Sequence, residues 1–299
     1  MVVGPEASLW QDVLGWEAPS RPPPLGVDRR LRERPESARL RGYRSYLIED
    51  ERLAGGKLLA AQLLTEHWVS DAFVCAVASL DDPPEEYVGL ARQLGANAGF
   101  SPDSETIVWL VSCSGWHDAC AGTKCSCSDA TSSKPEARRE VLRPPQPSGD
   151  AACSSADAFL DAWQQILRRA HADARDRRKN LFVLLDNAST LGLLFGKSAA
   201  CAAALLQTCA DLAAAEPDVA VCVVLLVHAD VEPTTAIARL RFACDTVLAV
   251  RALRSGTSAH ADGTLQVCKG GARAVAASRF LFDIGEHSIR YWSLPRASE

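Results

Sequence analysis

In this 299-residue chain, the segment Glu51-Arg-Leu-Ala-Gly55-Gly56-Lys57-Leu58 has the residue types and spacing that point to phosphate chemistry. A phosphate-binding loop needs G-x-x-x-x-G-K-[ST] between a strand and a helix. Its glycines let backbone N–H groups cradle the phosphates, its lysine reaches the β- and γ-phosphates, and its hydroxyl holds Mg²⁺. Gly56 and Lys57 stand in the required places, with Gly55 just before them. Glu51 replaces the first glycine, and Leu58 replaces the hydroxyl residue. A carboxylate there repels phosphate, and a leucine cannot ligate a metal. Gly-Gly-Lys alone is a weak signal, so the expectation is a vestigial loop rather than a hydrolytic one. Further on, Leu181-Phe-Val-Leu-Leu-Asp186 is an apolar strand ending in a carboxylate. In a working nucleotidase that aspartate orients the metal. Without a metal-binding partner at Leu58, the favoured reading is that Asp186-Asn187 begins a turn. No catalytic residue, cofactor or metal is expected.

Other chemistry-bearing residues are less well arranged. Cys113, His117, Cys120, Cys125, Cys127 and Cys153 share one segment, but zinc favours two pairs of ligands spaced two to four apart. Free thiols are the better reading. His67, His171, His228, His260 and His287 are scattered, and no nucleophile elbow accompanies them. His228-Ala-Asp230 follows a buried strand, where an α/β protein places its sites, yet a structural role is favoured for the pair. Arg168, Arg169, Arg175, Arg177, Arg178 and Lys179 end a helix, where cations complement the helix dipole.

The elements that would position these residues follow from periodicity. Strands are expected at Tyr46–Ile48, Phe73–Ala78, Thr106–Ser112, Leu181–Leu185, Val219–Val227, Thr246–Ala252, Gly263–Val267, Phe280–Ile284 and Ser288–Trp292. Helices are expected at Lys57–Val69, from Pro84 to about Leu94, at Ser155–Arg178 and Ser198–Ala215, and a short one at Thr234–Arg241. Continuously apolar strands alternating with helices indicate an α/β protein whose sheet is covered on both faces. The loop and strand-end aspartate, in that order, look like the vestiges of a RecA-type core. The expected fold is RecA-like, three-layered, with a mainly parallel central sheet and C-terminal edge strands. Residues 1–45 read as a partly irregular N-terminal extension, and 46–299 as a single RecA-like domain. Residues 113–155, rich in Ser, Gly, Pro and Cys, read as a flexible insertion.

Composition narrows the function classes. A net charge of −5 gives no globally basic surface for nucleic acid. Seven arginines between 29 and 44 form a local exception, read first as a solvated surface segment. No window of 18 apolar residues is free of charge, so no membrane span is expected, and the N-terminus lacks a secretory pattern. Eleven cysteines, many inside apolar runs, suggest a reducing, intracellular setting.

An ordered set of segments resembles the Elongator protein 6 family. Leu9 to Trp16 is similar to that family's short N-terminal segment. Tyr46-Leu-Ile-Glu-Asp, the degenerate loop and the Leu58–Trp68 helix follow. Next come Val74-Cys-Ala-Val-Ala-Ser-Leu, Glu86-Tyr-Val-Gly-Leu-Ala-Arg-Gln-Leu-Gly and Phe182-Val-Leu-Leu-Asp-Asn-Ala-Ser-Thr-Leu. Val223-Val-Leu-Leu-Val-His-Ala-Asp, Gly263-Thr-Leu-Gln-Val and Ser288-Ile-Arg-Tyr-Trp complete the set. Together they cover most of 46–110 and 156–294. The resemblance implies a RecA-like pseudo-ATPase, a non-catalytic subunit that joins Elongator subunits 4 and 5 in a heterohexameric ring. It implies association with the catalytic Elongator subcomplex, contact with tRNA through the assembled ring, and support of wobble-uridine modification. It also implies a cytoplasmic location, with the nucleus as a second one, and no membrane partner. The alternatives are a divergent RecA-type NTPase using Lys57 and Asp186, or another RecA-like paralogue such as Elongator subunit 5.

Overall fold

The structure, a computed structural model, describes residues 42–51, 55–69, 72–80, 85–94, 108–112, 137–141, 156–196, 198–253, 261–269, 278–285 and 288–293. The strands are β1 (Tyr43–Asp50), β2 (Phe73–Ser79), β3 (Val108–Ser112), β4 (Ala137–Val141), β5 (Asn180–Asp186) and β6 (Val221–His228). Four more follow: β7 (Thr246–Ala252), β8 (Gly263–Lys269), β9 (Ser278–Ile284) and β10 (Ile289–Ser293). The helices are α1 (Gly56–Val69), α2 (Glu85–Gln93), α3 (Ala156–Asp176), α4 (Thr190–Phe195), α5 (Ser198–Ala215) and α6 (Thr234–Ala243).

The ten strands among the described residues form one sheet in the order β10-β9-β8-β7-β1-β6-β5-β2-β3-β4. From β7 to β4 every neighbour is parallel, and from β7 to β10 every neighbour is antiparallel. Within the parallel part, β5 is separated from β1 by β6 alone. A loop-bearing strand one place removed from the aspartate-bearing strand is the RecA-like arrangement. The expected α/β fold, with its mainly parallel sheet and C-terminal edge strands, is therefore the fold observed.

Alternation along the strands sorts side chains into two cores. Leu47, Val74, Val183, Val223 and Val247 face α3, α5 and α6, which contribute Trp163, Leu167, Leu205 and Leu240. Tyr46, Ile48, Val77, Phe182, Val224 and Leu248 face α1 and α2, which contribute Leu59, Leu63, Leu64 and Tyr87. β6 is buried from Val221 through Val227, as a central strand covered on both faces must be. In α3, Phe159, Trp163, Ile166, Leu167, Ala170 and Ala174 are buried, the stripe an amphipathic helix presents to a sheet. α5 is long and apolar enough to span a bilayer by composition, but it buries Cys201, Ala202, Leu205, Leu206 and Cys209 in the core.

Three details differ from the sequence expectation. β1 starts at Tyr43, inside the segment read as the N-terminal extension. Polar contacts hold this start: Tyr43 Oη donates to Leu206 O at 3.2 Å, and the Ser45 N–H and hydroxyl both donate to Asp245 Oδ2. The segment 113–155, read as a flexible insertion, contains β4, which pairs in parallel with β3. Ala-Arg-Arg-Glu-Val carries no apolar alternation, so backbone pairing rather than patterning makes it a strand. α4, six residues with an internal glycine, was not anticipated.

Candidate functional site

Parallel strands end together, so the carboxyl edge of the sheet collects Asp50, Ser79, Asp186 and His228. Asp50 is level with His228 across β1 and β6, and Ser79 is level with Asp186 across β2 and β5. In open α/β sheets ligands bind in the crevice outside these strand ends.

α1 begins at Gly56, immediately beyond the loop that follows β1. Its first-turn N–H groups have no intrahelical partner and would meet phosphates in a working P-loop. Here the Gly56 N–H donates to Asp50 Oδ2 at 3.0 Å. The contact is so close that a Cβ on Gly56 would fall 2.7 Å from Asp50 Cβ, so the position requires glycine. Gly55 has φ +96°, and a Cβ there would press on Ile284 Cδ1 at 3.3 Å. Both glycines are thus fixed by packing against this chain's own side chains.

The acid that opposes phosphate is Asp50, not Glu51. Glu51 turns outward and pairs with Arg251 Nε at 3.1 Å. Asp50 is 3% exposed, and its Oδ1 has no hydrogen-bond partner among the described residues. Burial pushes its pKa up to about 6, against the Gly56 N–H, His228 and Arg251, while Asp230 adds to the rise.

Lys57 Nζ lies 2.8 Å from Glu86 Oε2 on α2 and 5.6 Å from the centre of the Tyr87 ring. Its ammonium is thereby committed to α2. Asp186 is buried and accepts from Ser79 Oγ at 3.3 Å, while its carbonyl accepts from the Leu80 N–H at 2.7 Å. These bonds suit an aspartate that fixes the junctions after β2 and β5. Of the four residues singled out from sequence, Gly55, Gly56 and Lys57 lie around the start of α1, and Asp186 sits at the edge two strands away. His228 donates its backbone N–H to Ser189 Oγ at 3.0 Å. The cysteine-rich segment and His260 and His287 lie outside the described residues, among which no group of His, Cys, Asp and Glu is arranged to hold a metal.

The antiparallel extension closes the outer side. Gly55, Leu59, Val250, Leu265, Phe282, Ile284, Ile289 and Tyr291 line a narrow apolar recess, open in part to solvent. Tyr291 Oη bonds Gln62 Oε1 at 2.6 Å and pins β10 to α1. Among the described residues, those that line this recess beside Gly55 are hydrocarbon and one phenol.

Sequence reasoning missed Asp50, Ser79 and Glu86. The available signal for Asp50 was an acid ending the strand before Gly-Gly. Ser79 meets Asp186 across neighbouring strands, which only the register of the sheet reveals, Asp50 bonds Gly56 across the turn into α1, and Glu86 makes a contact set by the packing of α2 on α1.

No protein-family profile and no curated protein matches the chain. Solved structures do. An uncharacterised Pyrococcus horikoshii protein, crystallised with an unknown peptide, superposes with a TM-score of 0.57 over 85% of this chain and 92% of its own, at 10% identity. A KaiC-like protein from the same archaeon gives a TM-score of 0.48 over 83% and 89%, also at 10% identity. At this identity the first likeness is one of fold. Fold and sheet order together define an α/β domain of RecA-like architecture.

Proposed function

We propose that this chain is a non-catalytic RecA-like subunit of the Elongator complex, corresponding to subunit 6. In this reading it joins subunits 4 and 5 in a heterohexameric ring, two copies of each, and the ring contacts tRNA and supports wobble-uridine modification carried out elsewhere in the complex. The observation that carries the non-catalytic part is the carboxylate of Asp50 on the Gly56 N–H, where a phosphate would have to bind. Leu58 in place of a metal-binding hydroxyl and the Lys57–Glu86 pair support it further. The Elongator assignment rests on the ordered segments read from the sequence. Large apolar side chains left exposed on the core, Leu193 at 87%, Val231 at 61% and Phe242 at 67%, agree with a protein that buries surface in an assembly. The setting is the cytoplasm, with the nucleus as a second location.

Equilibrium binding of Mg²⁺–ATP to the purified chain tests the reading. No saturable binding is expected. Saturable, Mg²⁺-dependent binding that is lost in Lys57→Ala would overturn it in favour of a divergent NTPase.

A further inference from the structure

The start of α1 is not simply missing its ligand-binding residues. α1 spans 14 residues, and its first N–H is met by a side chain six positions earlier in the chain. That side chain carries the charge of a phosphate oxygen, is 3% exposed and leaves its second oxygen without a partner among the described residues. Buried carboxylates are costly unless hydrogen-bonded, and an unpartnered oxygen makes this one expensive to keep. A side chain in that condition persists because it satisfies something else. The helix N-terminus, whose first-turn N–H groups have no intrahelical partner and which carries partial positive charge, is what it satisfies.

We infer that Asp50 is a built-in anion that occupies the phosphate seat at the N-terminus of α1, so that the seat is formed but filled by the chain itself. The surrounding residues fit this role. Gly56 lacks the Cβ that would push the carboxylate away, since an atom there would lie 2.8 Å from Asp50 Oδ2. The charged and titratable groups facing Asp50 are His228 and Asp230 after β6 and Arg251 on β7. Arg251 is shared with Glu49 and Glu51, at 3.6 and 3.1 Å. The positive field of the helix start is therefore left mainly to Asp50. Inorganic di- and triphosphates are the ligand class that the emptied seat would take, because several backbone donors in one turn suit a multiply charged oxyanion. This inference deepens the non-catalytic reading of the site and rests on that reading, but not on the identity of the complex.

The test is binding of inorganic pyrophosphate, without metal, to the full chain and to Asp50→Ala, with hydrogen exchange at the Gly56 N–H followed by NMR. The native chain is expected to show no saturable binding and a protected Gly56 N–H. Asp50→Ala is expected to bind pyrophosphate at least about tenfold more tightly. Its Gly56 N–H should exchange freely and regain protection when pyrophosphate is added. Asp50→Val, of similar volume and with no acceptor, serves as the second variant should the alanine variant fail to fold, and it is read in the same way. An unchanged Gly56 N–H in folded variants, or pyrophosphate binding no tighter than native, would overturn the inference. Mg²⁺–ATP binding by the native chain would instead overturn the non-catalytic reading, so the two failures are distinct.

Discussion

At the scale of single residues, two buried titratable groups pull stability in opposite directions with pH. Asp50 has its pKa raised to about 6 by burial, so the folded state holds a proton that the unfolded state has already released. Its unfavourable contribution grows as pH rises from about 4 to about 6 and is complete above that. His67 lies between Phe73 and Phe182, with ring centroids 4.4 Å from each, and its Nδ1 is 2.7 Å from Leu63 O. Full burial lowers its pKa to about 3. The unfolded state therefore takes the proton first as pH falls below about 6.5, and stability is lost towards acid. Between pH 4 and 6 the two slopes oppose one another. Asp50→Asn removes one of them and keeps an acceptor for the Gly56 N–H. Denaturant unfolding should show this variant more stable than native at pH 7.5 by roughly 1–2 kcal/mol, allowing for solvent screening. The gain should vanish by about pH 4. A variant less stable than native at pH 7.5 would contradict the burial cost assigned to Asp50.

At the scale of elements, a strained position marks the end of α3. Arg178 has φ 56°, the left-handed conformation that glycine usually supplies after a helix. Its N–H donates to Arg175 O at 3.0 Å, and the Lys179 N–H donates to Ala174 O at 2.8 Å, so the helix closes around it. Arg178→Gly should raise stability by about 0.5–1 kcal/mol, read as a shift in denaturation midpoint without a change in slope. What the sequence made legible follows the same physics. Runs such as Leu181–Leu185 and Val223–Val227 can only be central strands of a sheet covered on both sides, and the Phe159–Ala174 stripe can only be a helix lying on it. β4 carried no such pattern, because an edge strand is held by backbone pairing. α4 was too short to show a period. The candidate site was half legible: Gly55-Gly56-Lys57 marks the start of α1, and Leu58 marks the missing hydroxyl. Asp50 was not, because its role depends on the 3.0 Å approach of its Oδ2 to the Gly56 N–H, which follows from how the chain turns into α1.

At the scale of the whole molecule, a sheet of ten strands ends in an antiparallel extension that closes the recess beside Gly55. The fold keeps the RecA-like frame, and at the carboxyl edge of its sheet the Asp50 carboxylate lies on the Gly56 N–H. On the same carboxyl side, Leu193 and Val231 are exposed on segments tied together by the Ser198–Glu232 bond at 2.8 Å. In the proposed ring this surface would meet a neighbour. The double variant Leu193→Asp with Val231→Asp should unfold within about 0.5 kcal/mol of native, because it removes no core contact. It should weaken co-purification with Elongator subunits 4 and 5 severalfold, and undiminished co-purification would remove this surface from the interface.

The most direct test of the account is the native mass of the chain co-expressed with Elongator subunits 4 and 5. The account predicts a stable species of six subunits containing this chain in two copies, formed without added nucleotide. A monodisperse monomer that ignores both partners would contradict it.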